Sequence, residues 1–414
     1  MDFINSISGW VLLLIGLAIS IGLHELGHLL PAKLFGVKVT KYMIGFGPTL
    51  FSRKRGETEY GVKAIPLGGY IQMVGMLPPG EESGKTNSWR RAASTIRSSD
   101  QLDEADRDRA FYKLAPWKKL IVMFGGPFAN LLIAFVLALT LFTGFGPVDR
   151  TNQVREIVAC IPTVENPNCD RVGDLSPAAI AGLKAGDTIA SLAGEDISRW
   201  RDIEPIIEAN ANRSLEMVVI RDGKEINLAI TPVKVNFDGS TRSYLGVYLE
   251  VARFPQSPLE ATNNLGLMMA QTAEMIIQLP VQAFNAFTEL TPDANRDTEG
   301  AISIVGLGQL SGSLVGSSDL SLEDKVLSQL GLMLSLNVAL FVFNMIPLVP
   351  LDGGHIAGAI YEAIKRGIWR LRGKKLEKPV DTAMMMPLAY FVAGLLLFLT
   401  VVLILRDIIN PVEF

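Results

Sequence analysis

IGLHELGHLL, residues 21–30, lies near the end of a run that is almost wholly apolar from Trp10 onward. It contains the pattern HExxH. On an α-helix His24 and His28 stand four residues apart on one face, where two imidazoles can share one metal ion, and Glu25 is turned about a quarter turn aside. That is the geometry of a zinc hydrolase. In a soluble helix a five-residue pattern with three fixed positions also arises by chance. At hydrocarbon depth each unpaired polar group costs about 3 kcal/mol, so three of them together point to a function. The whole chain holds 3 histidines, and two of them are here.

Composition supports a membrane setting. The 414 residues are 49% hydrophobic with a mean hydropathy of +0.31, too apolar for an ordinary soluble protein. Four stretches, at about residues 7–35, 120–145, 326–360 and 384–405, meet the length needed to span a bilayer. The N-terminus lacks a basic region and a small-residue cleavage site, so the first span is expected to be retained. Charge sorts by sign between the spans. Residues 32–119 carry 16 Lys and Arg against 9 acids, and residues 361–379 carry 7 against 2, which makes both cytoplasmic. Residues 147–329 carry 14 against 25 and are expected outside, together with both termini. His28 then lies five residues from Lys33, on the order of 10 Å inside the cytoplasmic boundary. No basic run with interleaved aromatics supports nucleic-acid binding.

The segments between the spans divide further. KVTKYMIGFGPTLFS and TEYGVKAIPLGGYIQMV, punctuated by glycines, read as hairpins of a small cytoplasmic sheet. The second is apolar enough to enter the membrane beside the first helix, either as a plain structural hairpin or as part of a site. Residues 81–108 turn polar and read as a mobile, partly helical linker. GGPFAN, residues 125–130, places small residues where helix backbones approach closely. Asn130 needs a hydrogen-bond partner there, and either packing or site support would supply one. SPAAIAGLKAGDTIASLAGEDI, residues 176–197, resembles the PDZ domains of bacterial proteases. Strands are expected at 215–221 and 225–232 and a helix at 200–210. PDZ domains commonly take a peptide as an added strand; here the groove either does so or acts as a size filter. Cys160 and Cys169 lie close together in the acidic segment and suit a local disulfide if that segment is external.

NMIPLVPLDGGH, residues 344–355, ends the third span. Pro347 and Pro350 break the helix, and Gly353 and Gly354 allow close backbone approach. An aspartate at such a break, Asp352, is costly unless paired or bound to a cation, and the His24/His28 pair lacks a third protein ligand.

HELGH, GFGP at 45–48, IPLGGY at 65–70, GGPFAN, the PDZ-like stretch and NxxP…LDGG occur in one order along nearly the whole chain. Together they resemble the site-2 proteases, bacterial intramembrane zinc metalloproteases, in a single-PDZ form. The better-known branch with two PDZ domains is departed from. The resemblance implies a membrane α-helical protein of four transmembrane helices, with a cytoplasmic membrane-entering β-hairpin sheet and an extracytoplasmic PDZ-like α+β domain. The expected layout is a first span with HELGH at 1–35, a β region at 36–80, a linker at 81–115 and a second span at 116–146. A PDZ-like domain at 150–255 and an amphipathic helical region at 256–325 follow. The chain closes with a third span at 326–362, a basic cytoplasmic loop at 363–383 and a fourth span at 384–406.

The resemblance further implies Zn2+ held by His24, His28 and Asp352, with Glu25 as general base. Asn344 and the β-loop residues Ile65, Pro66, Leu67, Gly68, Gly69 and Tyr70 would lie against an unwound substrate. The implied substrates are single-pass membrane proteins, anti-sigma factors already trimmed outside or remnant signal peptides, in the bacterial cytoplasmic membrane. Two other readings use the same residues. A zinc transporter would need more spans and polar groups spread along a path. An inactive scaffold binding tails through its PDZ-like domain would not need the complete set of His24, Glu25, His28 and Asp352.

Overall fold

The computed structural model describes residues 2–76, 104–161, 175–237, 240–288, 302–373 and 386–409. Two compact units emerge, one of residues 1–141 and 258–414, the other of residues 142–257.

The first unit is built on helices. α1 (Asp2–Leu34) leads into two long strands, β1 (Val39–Arg55) and β2 (Thr58–Met73), and α2 (Pro116–Leu139) follows, ending in a π-helical turn at Thr140–Phe145. Two short 3-10 turns, Glu104–Arg109 and Phe111–Lys113, precede α2. They lie in the second half of the expected linker; its first half falls outside the described residues. Lys38 meets Asp106 at 2.6 Å, and Arg109 grips Glu57 through both guanidinium nitrogens at 2.6 and 2.7 Å, which pins these turns to the strands.

The glycine punctuation predicts hairpins that together form one small sheet, and a single sheet is what forms. In it β1 and β2 form one antiparallel pair so bent that residues 41–44 of β1 pair with 69–72 on one side and 59–62 on the other. The bend needs backbone that only glycine adopts easily: Gly45, Gly47 and Gly68 all have positive φ. Residues 65–73 of β2 consequently form an edge of this sheet, paired only with β1 among the described strands.

Four helical segments, Ile7–Leu34, Pro116–Phe145, Leu322–Asn344 and Leu388–Ile409, are long and apolar enough to cross a membrane. Their exposed faces carry Leu12, Ile19, Leu132, Phe391 and Leu397, as lipid contact requires. α1 and α2 touch backbone to backbone, since a Cβ added to Gly27 would overlap the carbonyl of Gly125.

The remaining helices of the unit are α5 (Pro258–Thr288), α6 (Ile304–Gly316), α7 (Leu322–Asn344), α8 (Asp352–Leu371) and α9 (Met386–Ile409), numbered after the helices of the second unit, α3 (Pro177–Ala181) and α4 (Trp200–Ala209). α6, too short to span, packs on α1 through small residues, where Gly312 meets Gly9 and Ser311 donates to the Gly9 carbonyl at 2.8 Å. α7 runs beside α1, with Gly16 against Met333 and Ser20 against Asn337.

The expected third span at 326–362 is two helices. α7 stops at Asn344, Pro347 and Pro350 occupy the break, and α8 restarts at Asp352. The basic loop expected at 363–383 is helical as far as Leu371. Its Lys and Arg residues report the side of the membrane and say nothing against a helix, and the segment contains no proline before 379. A buried ion pair, Lys119 to Glu362 at 2.8 Å, ties the start of α2 to α8, and Arg366 adds a second partner to Glu362.

The second unit holds β3 (Val148–Ile157), β4 (Thr188–Leu192), β5 (Glu195–Asp196), β6 (Leu215–Arg221), β7 (Lys224–Ile230) and β10 (Val247–Arg253) in one sheet of order β10-β3-β4-β6-β7, with β5 on β4. β8 (Val233–Phe237) and β9 (Ser240–Tyr244) form a separate hairpin. The core gathers Ile189, Leu192, Ile203, Ile207, Met217 and Val219, the inward residues of the sheet and of α4. SPAAIAGL builds α3 from its own capping signals. Ser176 accepts from the Ala179 N–H, Pro177 opens the helix, and Gly182 closes it at φ 76°.

Asp187 of the same motif is fully buried and accepts from Arg221 Nε and Nη2 at 2.7 Å each and from the Lys184 N–H at 2.8 Å. Burial pushes its carboxyl up, but the Arg221 fork and the Lys184 N–H outweigh it and hold the pKa below the ordinary 3.8. A carboxylate favoured in the folded state stabilises above its unfolded pKa, and that contribution disappears as pH falls through the lowered native value. Arg221→Met strands the buried carboxylate and is expected to cost about 3 kcal/mol. Acid opening of this unit, followed by hydrogen exchange in the full-length protein, should then begin at higher pH than in the parent. An unchanged acid profile would count against the pair.

Candidate active site

Three helices build the site. α1 carries His24 and His28 one turn apart with Glu25 next to His24, all three buried in spite of their polarity. Asp352 is the first residue of α8, where free backbone N–H groups favour a carboxylate. It reaches α1 because α8 folds tightly back on the break before it. A Cβ on Gly353 would overlap the Ile346 carbonyl, and one on Gly354 would overlap the Val349 backbone.

The three side chains converge on a common point. His24 Nε2 lies 3.2 Å from His28 Nε2 and 3.2 Å from Asp352 Oδ2, and His28 Nε2 lies 3.3 Å from Asp352 Oδ2. A tetrahedral zinc ion with bonds of about 2.0–2.1 Å has ligand atoms roughly 3.3 Å apart, so this spacing fits. Asp352 Oδ2 is buried without a hydrogen bond although both imidazole nitrogens are close, as expected of groups aimed at a shared centre. His28 Nδ1 sits 2.8 Å from the Val122 carbonyl of α2. A carbonyl only accepts, so Nδ1 carries the proton and the lone pair of Nε2 is left for a metal. Among the described residues this is the one group of His, Cys, Asp and Glu that could hold a metal ion.

Gly126 was read from the sequence as a packing residue, and the structure gives it a second duty. A Cβ there would overlap His28 Nε2 and stand 2.7 Å from His24 Nε2. The space beside the two nitrogens therefore depends on a hydrogen in place of a side chain, a need that a glycine in an apolar helix does not advertise.

Glu25 lies against the strand edge. A Cβ on Gly69 would come within 3.0 Å of Glu25 Cγ, and the Ile71 backbone faces the Glu25 carboxyl. Tyr42 of β1 donates to the Gly22 carbonyl at 2.7 Å and fixes the sheet across α1. Of the expected loop residues, Gly69 thus touches the site. Tyr70 stacks on Phe46, with ring centroids 6.5 Å apart, and Ile65 and Leu67 are about half exposed. Pro66 lies on the same edge, and Gly68 packs against the Phe46 ring. Asn344, at the end of α7, donates to its own helix at the Leu340 carbonyl, 2.9 Å away. In the second unit Cys160 is buried and disulfide-bonded, and Cys169 lies outside the described residues.

Comparison with known proteins agrees with this chemistry. Residues 12–388 match the family described as Peptidase family M50. The zinc metalloprotease Rip1 of Mycobacterium tuberculosis is 30% identical over 432 residues, covering 98% of both chains. Rip1 of Mycolicibacterium smegmatis is 29% identical with the same coverage. The metalloprotease MmpA of Caulobacter vibrioides is 28% identical over 367 residues, 86% of this chain and 87% of its own. With a family match running from the first span into the last, and a convergent His, His, Asp cluster beside a buried glutamate, the chain belongs to peptidase family M50, the site-2 proteases.

Proposed function

We propose that this chain is a zinc-dependent endopeptidase that cuts peptide bonds within the transmembrane segments of single-pass proteins. His24, His28 and Asp352 are its zinc ligands. The carrying observation is the set of 3.2–3.3 Å separations among their ligand atoms, with His24 and His28 on a helix of membrane-spanning length and Asp352 at the head of α8, just past the end of another. Zinc bound there makes a water acidic near neutral pH and polarises a carbonyl. Glu25 takes the proton of the attacking water at its carboxylate and passes it to the leaving amide nitrogen. The buried setting keeps bulk water away and strengthens both interactions.

A helical substrate hides its peptide bonds in its own hydrogen bonds. The edge at 65–73 of β2 supplies replacement partners to an unwound strand, and the contact of Gly69 with Glu25 supports its holding that strand next to the base. Asn344 assists once its amide leaves the Leu340 carbonyl. The acidic second unit, with the motif SPAAIAGLKAGD, acts outside the cytoplasm as a PDZ-like domain that admits already trimmed substrates, and a Cys160–Cys169 disulfide closes its loop. Trimmed anti-sigma factors or remnant signal peptides fit these demands. The protein resides in the bacterial cytoplasmic membrane with both termini outside.

Detergent-purified protein reconstituted with a trimmed single-span substrate tests this reading. Cleavage should stop on chelation and return with zinc, and Asp352→Asn should lower zinc affinity by at least about 100-fold and abolish cutting. Cleavage that survives chelation, or full activity in Asp352→Asn, would refute it.

A further inference from the structure

The ring edge of His28 that faces away from the metal point has a partner, the Val122 carbonyl. The corresponding edge of His24 has none: its Nδ1 is buried and makes no hydrogen bond. Histidine ligands ordinarily have this second nitrogen held by an acceptor, which sets the tautomer and the ring angle. Here the acceptor has to come from the residues around His24.

Helix register places the candidates. α1 and α2 run in opposite directions: His28 meets Val122, Gly27 meets Gly125, and both Nε2 atoms meet Gly126. The next turn of α2 on that same buried face carries Asn130, and the next turn of α1 beyond His24 carries Ser20. Side chains of an α-helix lean toward its N-terminus, so the His24 ring leans toward the Ser20 level. α7 closes the third side, with Asn337 Nδ2 donating to Ser20 Oγ at 2.9 Å.

Asn130 is fully buried, and neither Oδ1 nor Nδ2 has a hydrogen-bond partner; Asn337 Oδ1 is likewise buried and unpaired. Four unpaired polar atoms are thus carried by three helices of an apolar protein, where each is costly unless it serves another group, and helix register puts Asn130 one turn beyond Gly126, toward the Ser20 level. A residue that met the substrate would have to be reachable from the site, and Asn130 has no exposed surface.

We propose that Asn130 is a positioning residue for the metal site. Its side-chain oxygen accepts the proton of His24 Nδ1, directly or through one water, with Asn337 and Ser20 completing the pocket. This fixes the lone pair of His24 Nε2 on the metal point, as the Val122 carbonyl does for His28. The proposal rests on His24 being a zinc ligand.

The test measures zinc affinity by chelator competition, and the visible absorption of the cobalt-loaded protein, in the full-length chain. Asn130→Leu should weaken zinc binding by about 10–100-fold and alter the cobalt spectrum while thermal stability in detergent is retained. Asn130→Asp, which keeps an acceptor and makes it stronger, should bind zinc at least as tightly as the parent. Should Asn130→Leu fail to fold, Asn130→Ser, which keeps a smaller acceptor, should fall between the parent and Asn130→Ala. Zinc affinity within twofold of the parent and an unchanged spectrum in both Asn130→Leu and Asn130→Ala would overturn the proposal. A His24→Ala control separates the two levels. If it binds zinc like the parent, the ligand assignment itself is wrong; if it loses zinc and the Asn130 variants do not, only the positioning role falls.

Discussion

Glu25→Gln is expected to slow cleavage of a reconstituted single-pass substrate by about 10²–10⁴-fold while zinc content stays unchanged. The amide keeps the shape of the carboxylate, so its contact with Gly69 and the Ile71 backbone survives. It has no basic oxygen to take a proton from water, which removes the general base and little else. Glu25 also stands outside the cluster of ligand atoms formed by His24, His28 and Asp352, so metal binding does not depend on it. Rate measurements paired with metal analysis decide the matter. Activity within tenfold of the parent would move the base elsewhere, and loss of zinc would make Glu25 a ligand.

Gly126→Ala should be nearly as damaging, although it adds only one methyl group and removes no polar atom. The new Cβ overlaps His28 Nε2 and crowds His24 Nε2. Moving the helices apart to make room would give up the close backbone packing at Gly27 and Gly125 and the His28–Val122 hydrogen bond. Either the imidazoles rotate off the metal point or the α1–α2 contact opens, and both outcomes lower zinc affinity, by on the order of 100-fold. Gly331→Ala on α7 is the matched control, since a Cβ there meets nothing within 4 Å, and it should behave as the parent. Chelator competition on the two variants is the measurement, and equal affinities would remove Gly126 from the site.

Some of this architecture could be read before any coordinates. The pattern at 24–28 was legible because two ligands one helical turn apart share a face in any helix. Asp352 was legible because a charge at a proline-broken span needs a reason. Gly126 was not, since a glycine that packs and a glycine that makes room for a neighbour's nitrogen look alike in one dimension. The bent sheet was hidden for a related reason: glycine positions announce turns without saying which strands meet again beyond them. The helical continuation through residues 363–371 was masked by its charge, which reports sidedness and leaves conformation open. Val148–Ile157 gives no strand signal because seven of its ten residues are polar and its partner, Val247–Arg253, lies far along the chain.

The break at residues 345–351 also shapes when the enzyme comes into existence. Two of the three proposed ligands, His24 and His28, lie on α1, and the third, Asp352, comes more than 300 residues later, after the Pro-rich break and at the head of α8. A chain stalled or truncated before that point has a histidine pair and a glutamate but no complete metal site. Hydrolytic competence therefore becomes a late event of biosynthesis, reached once α8 has folded back onto α1.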